Sequence, residues 1–155
     1  MATELQEIVS IDEQEATLDE YLAFISDDLR FAVSAKYVTE IITSFFATVL
    51  PKVPPYVKGI FNLRGQVIPI VDARIRMRQS PGNNDDEGKC VIVLNNSVGE
   101  VAIGLLVDGV SHVVNIKDED ILIPPANNKQ ELVNGIVHIG IDDYLILDCE
   151  KLLEK

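Results

Sequence analysis

The chain has 155 residues, of which 47% are hydrophobic and 25% are charged, and its formal net charge is −12. These values are typical of one soluble domain, or of two small domains that share a core. The acidic balance argues against nucleic acid and against anionic membrane as partners, because both attract clustered positive charge. No apolar run approaches the roughly 20 residues of a membrane-spanning helix, and no basic segment precedes an apolar one at the N-terminus, so we expect no signal peptide.

Residues 1–20 are predicted to form an acidic, flexible N-terminal tail. The segment contains seven acidic residues and no lysine or arginine. Its few apolar residues do not make a firm helical pattern. We expect the tail to favour solubility rather than to make a specific contact.

Short apolar runs separated by turn residues follow the tail. Residues 21–25 and 29–33 are predicted as a β-hairpin, and residues 38–42 as a third strand. Between them, residues 34–37 are long enough for one helical turn, with Ser34 as its cap. The pattern is that of a β protein with very little helix.

Phe45 and Phe46 form an unusually apolar pair beside a proline-rich loop. They are either core residues or surface anchors for a partner, and we favour the core. After the prolines, residues 56–58 are predicted as a single turn that Gly59 closes.

Residues 59–72 are predicted to form the central β-hairpin of the chain. Two runs rich in β-branched and aromatic residues flank Arg64 and Gly65. Gly65 can adopt the positive φ that a tight reversal needs. Arg64 is therefore expected at a rigid β-turn, where an arginine is well placed for recognition.

The second half is more plainly β, and the polar loop at residues 79–88 is the best candidate boundary between the halves. Asp108–Gly109 predicts a hairpin turn, Asp142–Asp143 predicts another, and Asp148 is expected to cap a terminal helix over residues 149–153. About ten short strands without a long helical period indicate an all-β fold, either barrels or a sandwich. The predicted strands of this half are 89–94, 101–107, 110–116, 136–139 and 144–147.

An internal repeat relates residues 59–72 to residues 135–148. Both segments open with Gly-Ile, end in apolar residues plus aspartate, and follow a loop that contains proline. We infer two related small β-barrels packed on each other, the first over roughly residues 21–78 and the second over roughly residues 89–148. These boundaries are approximate, and strands could be exchanged between the barrels.

The repeat also separates positions that the fold requires from positions available for function. Gly59 and Asp72 recur as Gly135 and Asp148, so the barrel is expected to require them. Arg64, in contrast, aligns with Gly140, so the fold does not require an arginine at that turn.

No catalytic pattern is evident, and we expect no enzyme activity, metal or cofactor. His112 and His138 lie within predicted strands without an obvious partner residue. Cys90 and Cys149 are expected to be buried free thiols, and a disulfide between them is the alternative.

Residues 52–78 form a positive region, with six basic residues and one acidic residue. Glu40 is the best intramolecular partner for Arg64. The pair is either an ordinary surface ion pair or a device by which Glu40 orients Arg64 toward another protein. The repeat favours the second interpretation.

The segment from Lys58 to Arg74 resembles the G-x-x-N-L-R-G-x-(V/I)-(V/I)-P-(V/I)-(V/I)-D-L-R signature of the CheW family of chemotaxis coupling proteins. Ala73 stands where that family usually has leucine. Residues 38–41 are similar to its V-x-E-(I/V) element, and residues 107–113 to its V-D-x-V-x-x-V element. The resemblance covers residues 21–155.

This resemblance implies two five-stranded, SH3-like barrels with a short C-terminal helix and a non-enzymatic adaptor function. Such proteins bridge the cytoplasmic tip of chemoreceptors (methyl-accepting chemotaxis proteins) to the regulatory domain of the histidine kinase CheA. The implied location is the cytoplasm, at membrane-associated receptor arrays but without membrane insertion. By position, the implied receptor-binding residues are Val38, Glu40, Gly59, Asn62, Arg64, Val110 and Val113.

Kinase contacts are harder to place, and Lys58 and Val67 are the candidates. The alternative function is that of a small β-barrel ligand-binding or hydrolytic protein. A deep polar pocket would favour this alternative.

Overall fold

A computed structural model describes residues 19–77, 89–96, 101–123 and 132–153. Two four-residue helices, α1 (Ala73–Arg76) and α2 (Cys149–Leu152), and 3-10 turns at Ala35–Tyr37 and Asp118–Asp120 accompany the strands. The all-β fold with a short C-terminal helix is therefore confirmed. The ten strands are β1 (Glu20–Ser26), β2 (Leu29–Ser34), β3 (Val38–Ile42), β4 (Val57–Leu63), β5 (Gln66–Asp72), β6 (Cys90–Asn95), β7 (Ala102–Val107), β8 (Gly109–Asn115), β9 (Val133–Ile139) and β10 (Asp142–Leu147).

Most of the predicted acidic tail, residues 1–18, lies outside the described residues. Its last predicted residue, Glu20, is buried and begins β1, so the first sheet starts earlier than expected. Within the described ranges, no helix is long and apolar enough to cross a membrane.

The strands form two five-stranded sheets with the same internal order. Sheet A has the order β8-β1-β2-β10-β9, and sheet B has the order β3-β6-β7-β5-β4. Each sheet contains a single parallel pair at its centre, β2 with β10 and β5 with β7, while its other pairs are antiparallel. The internal repeat inferred from residues 59–72 and 135–148 therefore extends to all ten strands.

The two sheets are not consecutive halves of the chain. Strands β1 and β2 join three strands of the second half, whereas β6 and β7 join three strands of the first half. The residue ranges 21–78 and 89–148 thus do not each form a separate sheet, and the exchange of strands allowed for above is present.

The hairpin predicted at Asp108–Gly109 is wrong, because β7 and β8 lie in different sheets. One edge of β7 pairs with β6 and the other with β5, so no edge remains for β8. Asp108 instead carries the chain to sheet A. Its backbone N–H donates to the carbonyl of Ile25 at 2.9 Å, and its carboxylate accepts from the N–H of Asp27 at 2.6 Å.

Three other local predictions are also corrected. The last hairpin turns at Gly140–Ile141 rather than at Asp142–Asp143, because Gly140 adopts the positive φ of 64°. Ser34 makes no side-chain capping bond to the turn that follows it. Residues 57 and 58 belong to β4 rather than to a turn, so Gly59 lies inside a strand.

The core has three layers. The largest cluster lies between the two sheets, and it includes the stacked rings of Phe24 and Phe31, whose centroids are 5.4 Å apart. A second cluster fills the interior of sheet A and a third fills the interior of sheet B. Strands β1, β2, β6 and β7 contribute alternate residues to the central cluster and to a barrel interior, which explains why their sequences are apolar on both faces.

The glycines shared by the two repeats lie where another segment crosses a strand. A Cβ on Gly59 would stand 2.4 Å from the carbonyl oxygen of Thr48, and one on Gly135 would stand 2.3 Å from Cγ2 of Ile121. The neighbouring residue, Ile60, forms an isolated β-bridge with Thr48, and the same bridge recurs beside Gly135. These glycines are therefore requirements of the fold.

The shared aspartates and the cysteines also have structural roles. Asp72 accepts a hydrogen bond from the N–H of Arg74 at the start of α1, and Asp148 accepts one from the N–H of Lys151 in α2. Cys90 and Cys149 are buried free thiols, so no disulfide joins them. Burial raises the pKa of both thiols, that of Cys149 to about 12.

Candidate functional site

The site is centred on a two-residue turn between β4 and β5. Arg64 and Gly65 both adopt positive φ, 52° and 87°. A hairpin turn of this shape matches the twist of its strands, but it is unfavourable for a residue that has a Cβ. The side-chain oxygen of Asn62 accepts a hydrogen bond from the N–H of Gly65 at 2.9 Å and holds the turn closed. Arg64 therefore projects from a fixed backbone.

Arg64 forms a bidentate ion pair with Glu40. Nη1 lies 2.6 Å from Oε1, and Nη2 lies 3.3 Å from Oε2. The hydrogen bond and negative charge of Glu40 raise the pKa of the guanidinium. The Arg64 side chain is 72% exposed and that of Glu40 is 22% exposed, so the pair presents its cationic member to solvent.

The ion pair also joins the two edges of sheet B. Glu40 lies on β3, at one edge, and Arg64 lies on the hairpin that forms the other edge. Glu40 pairs with Val93, a residue of the barrel interior, and paired residues point to the same face of a sheet. The carboxylate thus stands at the mouth of the barrel, where Arg64 covers it.

A β-bulge places Glu40 in this position, and the same bulge recurs in sheet A. On β3, Thr39 and Glu40 together lie opposite one residue of β6. On β8, Ser111 and His112 together lie opposite one residue of β1. Bulges of this kind at sheet edges redirect side chains. His112 is therefore the counterpart of Glu40 in the second repeat.

The three predicted receptor-binding valines share the seam between the sheets. Val38 is buried in the central cluster, and Val110 and Val113 are partly buried against it. The bulge in β8 turns both Val110 and Val113 toward this cluster. The structure thus brings the three valines to one apolar layer and pairs Arg64 directly with Glu40.

Gly59, the remaining predicted receptor-binding residue, is buried beneath Thr48. It offers no side chain to a partner. Its contribution would come from the position of the loop that crosses it.

Several apolar side chains are exposed in the β3–β4 loop and on β5, and one of them, Phe46, was expected in the core. Phe46 is 85% exposed, Val49 78% and Val67 59%, while Lys58 is partly buried in β4. The expectation that both phenylalanines belong to the core holds only for Phe45, which packs against the interior of sheet B. Phe46 lies at the edge of a cavity of about 400 Å³. In the sequence, the largely apolar run at residues 45–50 was the feature that indicated an exposed apolar loop.

Both histidines have partners that the sequence did not reveal. His138 contacts Asp143 across the β9–β10 pair, and Ser111 Oγ lies 2.6 Å from Nδ1 of His112. In the part of the chain that the structure describes, no group of three histidine, cysteine or acidic residues could hold a metal ion. A cavity of about 600 Å³ on sheet A contains none of the predicted site residues.

Comparison with known proteins identifies the family. The model of the CheW-like domain matches residues 20–155. The chemotaxis protein CheW of Klebsiella aerogenes is 33% identical over 139 residues, which cover 88% of this chain and 82% of that protein. CheW of Rhizobium meliloti is 39% identical over 125 residues, 77% of each chain. The crystal structure of the scaffolding protein TtCheW from Thermoanaerobacter tengcongensis has the same fold, with a TM-score of 0.80 over 90% of this chain and 94% of that chain at 24% identity. The chain therefore belongs to the CheW family of chemotaxis proteins.

Proposed function

We propose that the protein is a non-enzymatic adaptor that couples the cytoplasmic tip of chemoreceptors to the regulatory domain of the histidine kinase CheA. The family match and the names of the relatives support a chemotaxis scaffold. The observation that carries the receptor-binding role is Arg64. It is exposed and held on a strained turn, whereas the second repeat has Gly140 at the equivalent turn.

In this proposal, one receptor helical hairpin packs against the seam between the sheets. Val110 and Val113 supply apolar contact, and Val38 belongs to the buried cluster behind them. Arg64 supplies an oriented polar contact at the border of the seam. The turn and Glu40 hold the guanidinium in place before binding, so little side-chain entropy is lost on association. Asn62 acts indirectly, by holding the turn closed.

The kinase is proposed to bind the exposed apolar surface that includes Val67 and borders Lys58. We add Phe46 and Val49, two exposed apolar residues of the β3–β4 loop, to this proposed contact, because exposed aromatic residues commonly anchor protein interfaces. The adaptor would work in the cytoplasm, recruited to membrane-associated receptor arrays. The family match gives no support to the alternative of a ligand-binding or hydrolytic barrel.

Reversing the charge of Arg64 tests the receptor-binding role. The Arg64→Glu variant should bind a receptor tip fragment at least tenfold more weakly, as expected for an arginine that anchors an interface, while its Tm stays close to that of the wild type. The matched control is Arg30→Glu, which reverses another exposed ion pair, with Asp142 at 3.6 Å, in the other sheet. The control should bind normally. Unfolding of Arg64→Glu would instead assign Arg64 a structural role.

A charge exchange separates recognition by Arg64 from a need for the ion pair itself. The double variant Glu40→Arg with Arg64→Glu can re-form the pair but presents the opposite charge to solvent. We expect its receptor affinity to stay as low as that of Arg64→Glu. Recovery of wild-type affinity would show that the pair, and not the outward arginine, is required.

A further inference from the structure

We propose that Asp108 is a positioning residue of the receptor-binding seam. Its carboxylate fastens the start of β8 and thereby holds Val110 and Val113 in place for the receptor. This inference rests on the proposed receptor-binding function. It assigns a role to a side chain that acts through β8 rather than by touching the receptor itself.

A single residue, Asp108, connects β7 to β8. Strand β7 ends at Val107 in sheet B, and β8 begins at Gly109 in sheet A. Within sheet A, β8 is an edge strand that pairs with β1 alone. Its register therefore depends on that one pairing and on how the strand begins. A shift of one residue would turn Val110 and Val113 away from the seam.

Two hydrogen bonds of Asp108 fasten this start to the β1–β2 hairpin. Its N–H donates to the carbonyl of Ile25 at 2.9 Å, and its carboxylate accepts from the N–H of Asp27 at 2.6 Å in a partly buried position. A hydrogen bond to a carboxylate is roughly twice as strong as one between neutral groups. Asp27 and Asp28 form a two-residue turn with φ of 54° and 67°, so the donor belongs to a tight hairpin turn.

The register that follows from this attachment places the two valines. Val110 pairs with Phe24, which is fully buried in the central cluster, and Val110 packs against the same cluster. After the bulge, Val113 pairs with Leu22, another residue of that cluster. Because Val110 follows Asp108 by two residues, loss of the carboxylate would loosen the part of β8 that carries Val110. A receptor binds only the molecules in which β8 is in place, so its apparent affinity would fall.

The test measures binding of a soluble receptor tip fragment to full-length variants, at a temperature well below every Tm. Asp108→Ala removes the acceptor and should weaken binding about five- to tenfold. Asp108→Asn keeps an oxygen acceptor of the same reach and should bind within about twofold of the wild type. Asp108→Glu keeps the charge but moves the carboxylate by one methylene, so it should bind more weakly than Asp108→Asn.

Three readouts separate positioning from general stability. Asp148→Ala is the matched control, because it also loses a carboxylate that accepts a backbone hydrogen bond, but in α2. It should bind the receptor fragment normally. CheA binding should be unchanged in every variant, since the proposed kinase contact lies on sheet B. Amide hydrogen exchange should become faster in β8 of Asp108→Ala and stay unchanged in β9 and β10.

Arg64→Glu, measured in parallel, separates failure of this inference from failure of the proposed function. If Arg64→Glu binds weakly but Asp108→Ala binds within twofold of the wild type, the inference is wrong and the receptor-binding role stands. If Arg64→Glu binds normally, the proposed function fails and takes this inference with it.

Two further results would overturn the positioning role. Tighter binding by Asp108→Glu than by Asp108→Asn would make the charge itself a direct receptor contact. Equal losses in Asp108→Ala and Asp148→Ala would reduce the effect to general stability. If Asp108→Ala also loses CheA binding, it is misfolded, and the order of Asp108→Glu and Asp108→Asn then decides.

Discussion

Replacing Gly59 by alanine should destabilise the protein by about 2–3 kcal/mol. The new Cβ would lie 2.4 Å from the carbonyl oxygen and 2.9 Å from the carbonyl carbon of Thr48. Both are backbone atoms, so no side-chain rotation can relieve the overlap. The crossing segment must move by about 1 Å to reach an ordinary van der Waals distance.

The size of the effect follows from the hydrogen bonds that this movement breaks. The N–H of Thr48 donates to the carbonyl of Ile60 at 2.8 Å, and the N–H of Ile60 donates back at 2.9 Å. Each bond contributes about 1 kcal/mol net, and residual crowding adds to their loss. For a chain of this length the resulting fall in Tm is about 5–10 °C.

Thermal unfolding followed by circular dichroism measures this fall, and other glycines provide controls. A Cβ on Gly109 or on Gly65 would meet nothing within 4 Å, but Gly65 has a φ of 87°. Gly109→Ala should therefore leave Tm almost unchanged, and Gly65→Ala isolates the cost of backbone strain. Gly135→Ala should cost less than Gly59→Ala, because its closest contact is a methyl group of Ile121 that can move. Equal Tm values for Gly59→Ala and Gly109→Ala would refute the reasoning.

Three further predictions concern caps, aromatic residues and thiols. Removing either cap, by Asp72→Ala or Asp148→Ala, should lower the free energy of unfolding by about 1 kcal/mol in urea titrations. Asparagine also caps helices well, so Asp72→Asn and Asp148→Asn should retain most of the wild-type stability. Phe61→Ala should cost about 3–5 kcal/mol because the ring is buried, whereas Phe46→Ala should leave Tm unchanged and weaken CheA binding in a pull-down. Because burial raises the pKa of Cys149 to about 12, its thiol should stay unreactive toward a disulfide reagent at pH 8 until urea unfolds the chain; rapid reaction in the native state would contradict its burial.

Local turn chemistry was enough to predict the hairpin that carries the site. Buried residues occur at alternate positions near the turn, Gly59 and Phe61 in β4 and Ile68 and Ile70 in β5, and Gly65 marks the reversal, so neighbouring residues determine this unit. The same logic failed at Asp108–Gly109. That dipeptide favours a hairpin, but β5 already occupies the strand edge that the hairpin would need. A short stretch of sequence does not show that a distant strand will pair with that edge.

The contacts of the candidate site were likewise predictable only in part. Glu40 and Arg64 are 24 residues apart in sequence, and their pairing was predicted because Glu40 lies on a strand of the same predicted barrel, beside Val38. The equivalence of His112 to Glu40 was not predictable, because it depends on the bulge in β8. A bulge shifts the alternation by one residue, and the sequence alone does not show where that shift occurs.

Co-sedimentation of CheA with receptor-containing membranes tests the adaptor function most directly. We predict that CheA enters the pellet in proportion to the added protein, that Arg30→Glu supports this as well as the wild type does, and that Arg64→Glu leaves CheA in the supernatant. Equal pelleting of CheA without the protein, or with Arg64→Glu in its place, would contradict the proposal that this chain bridges receptor and kinase through Arg64.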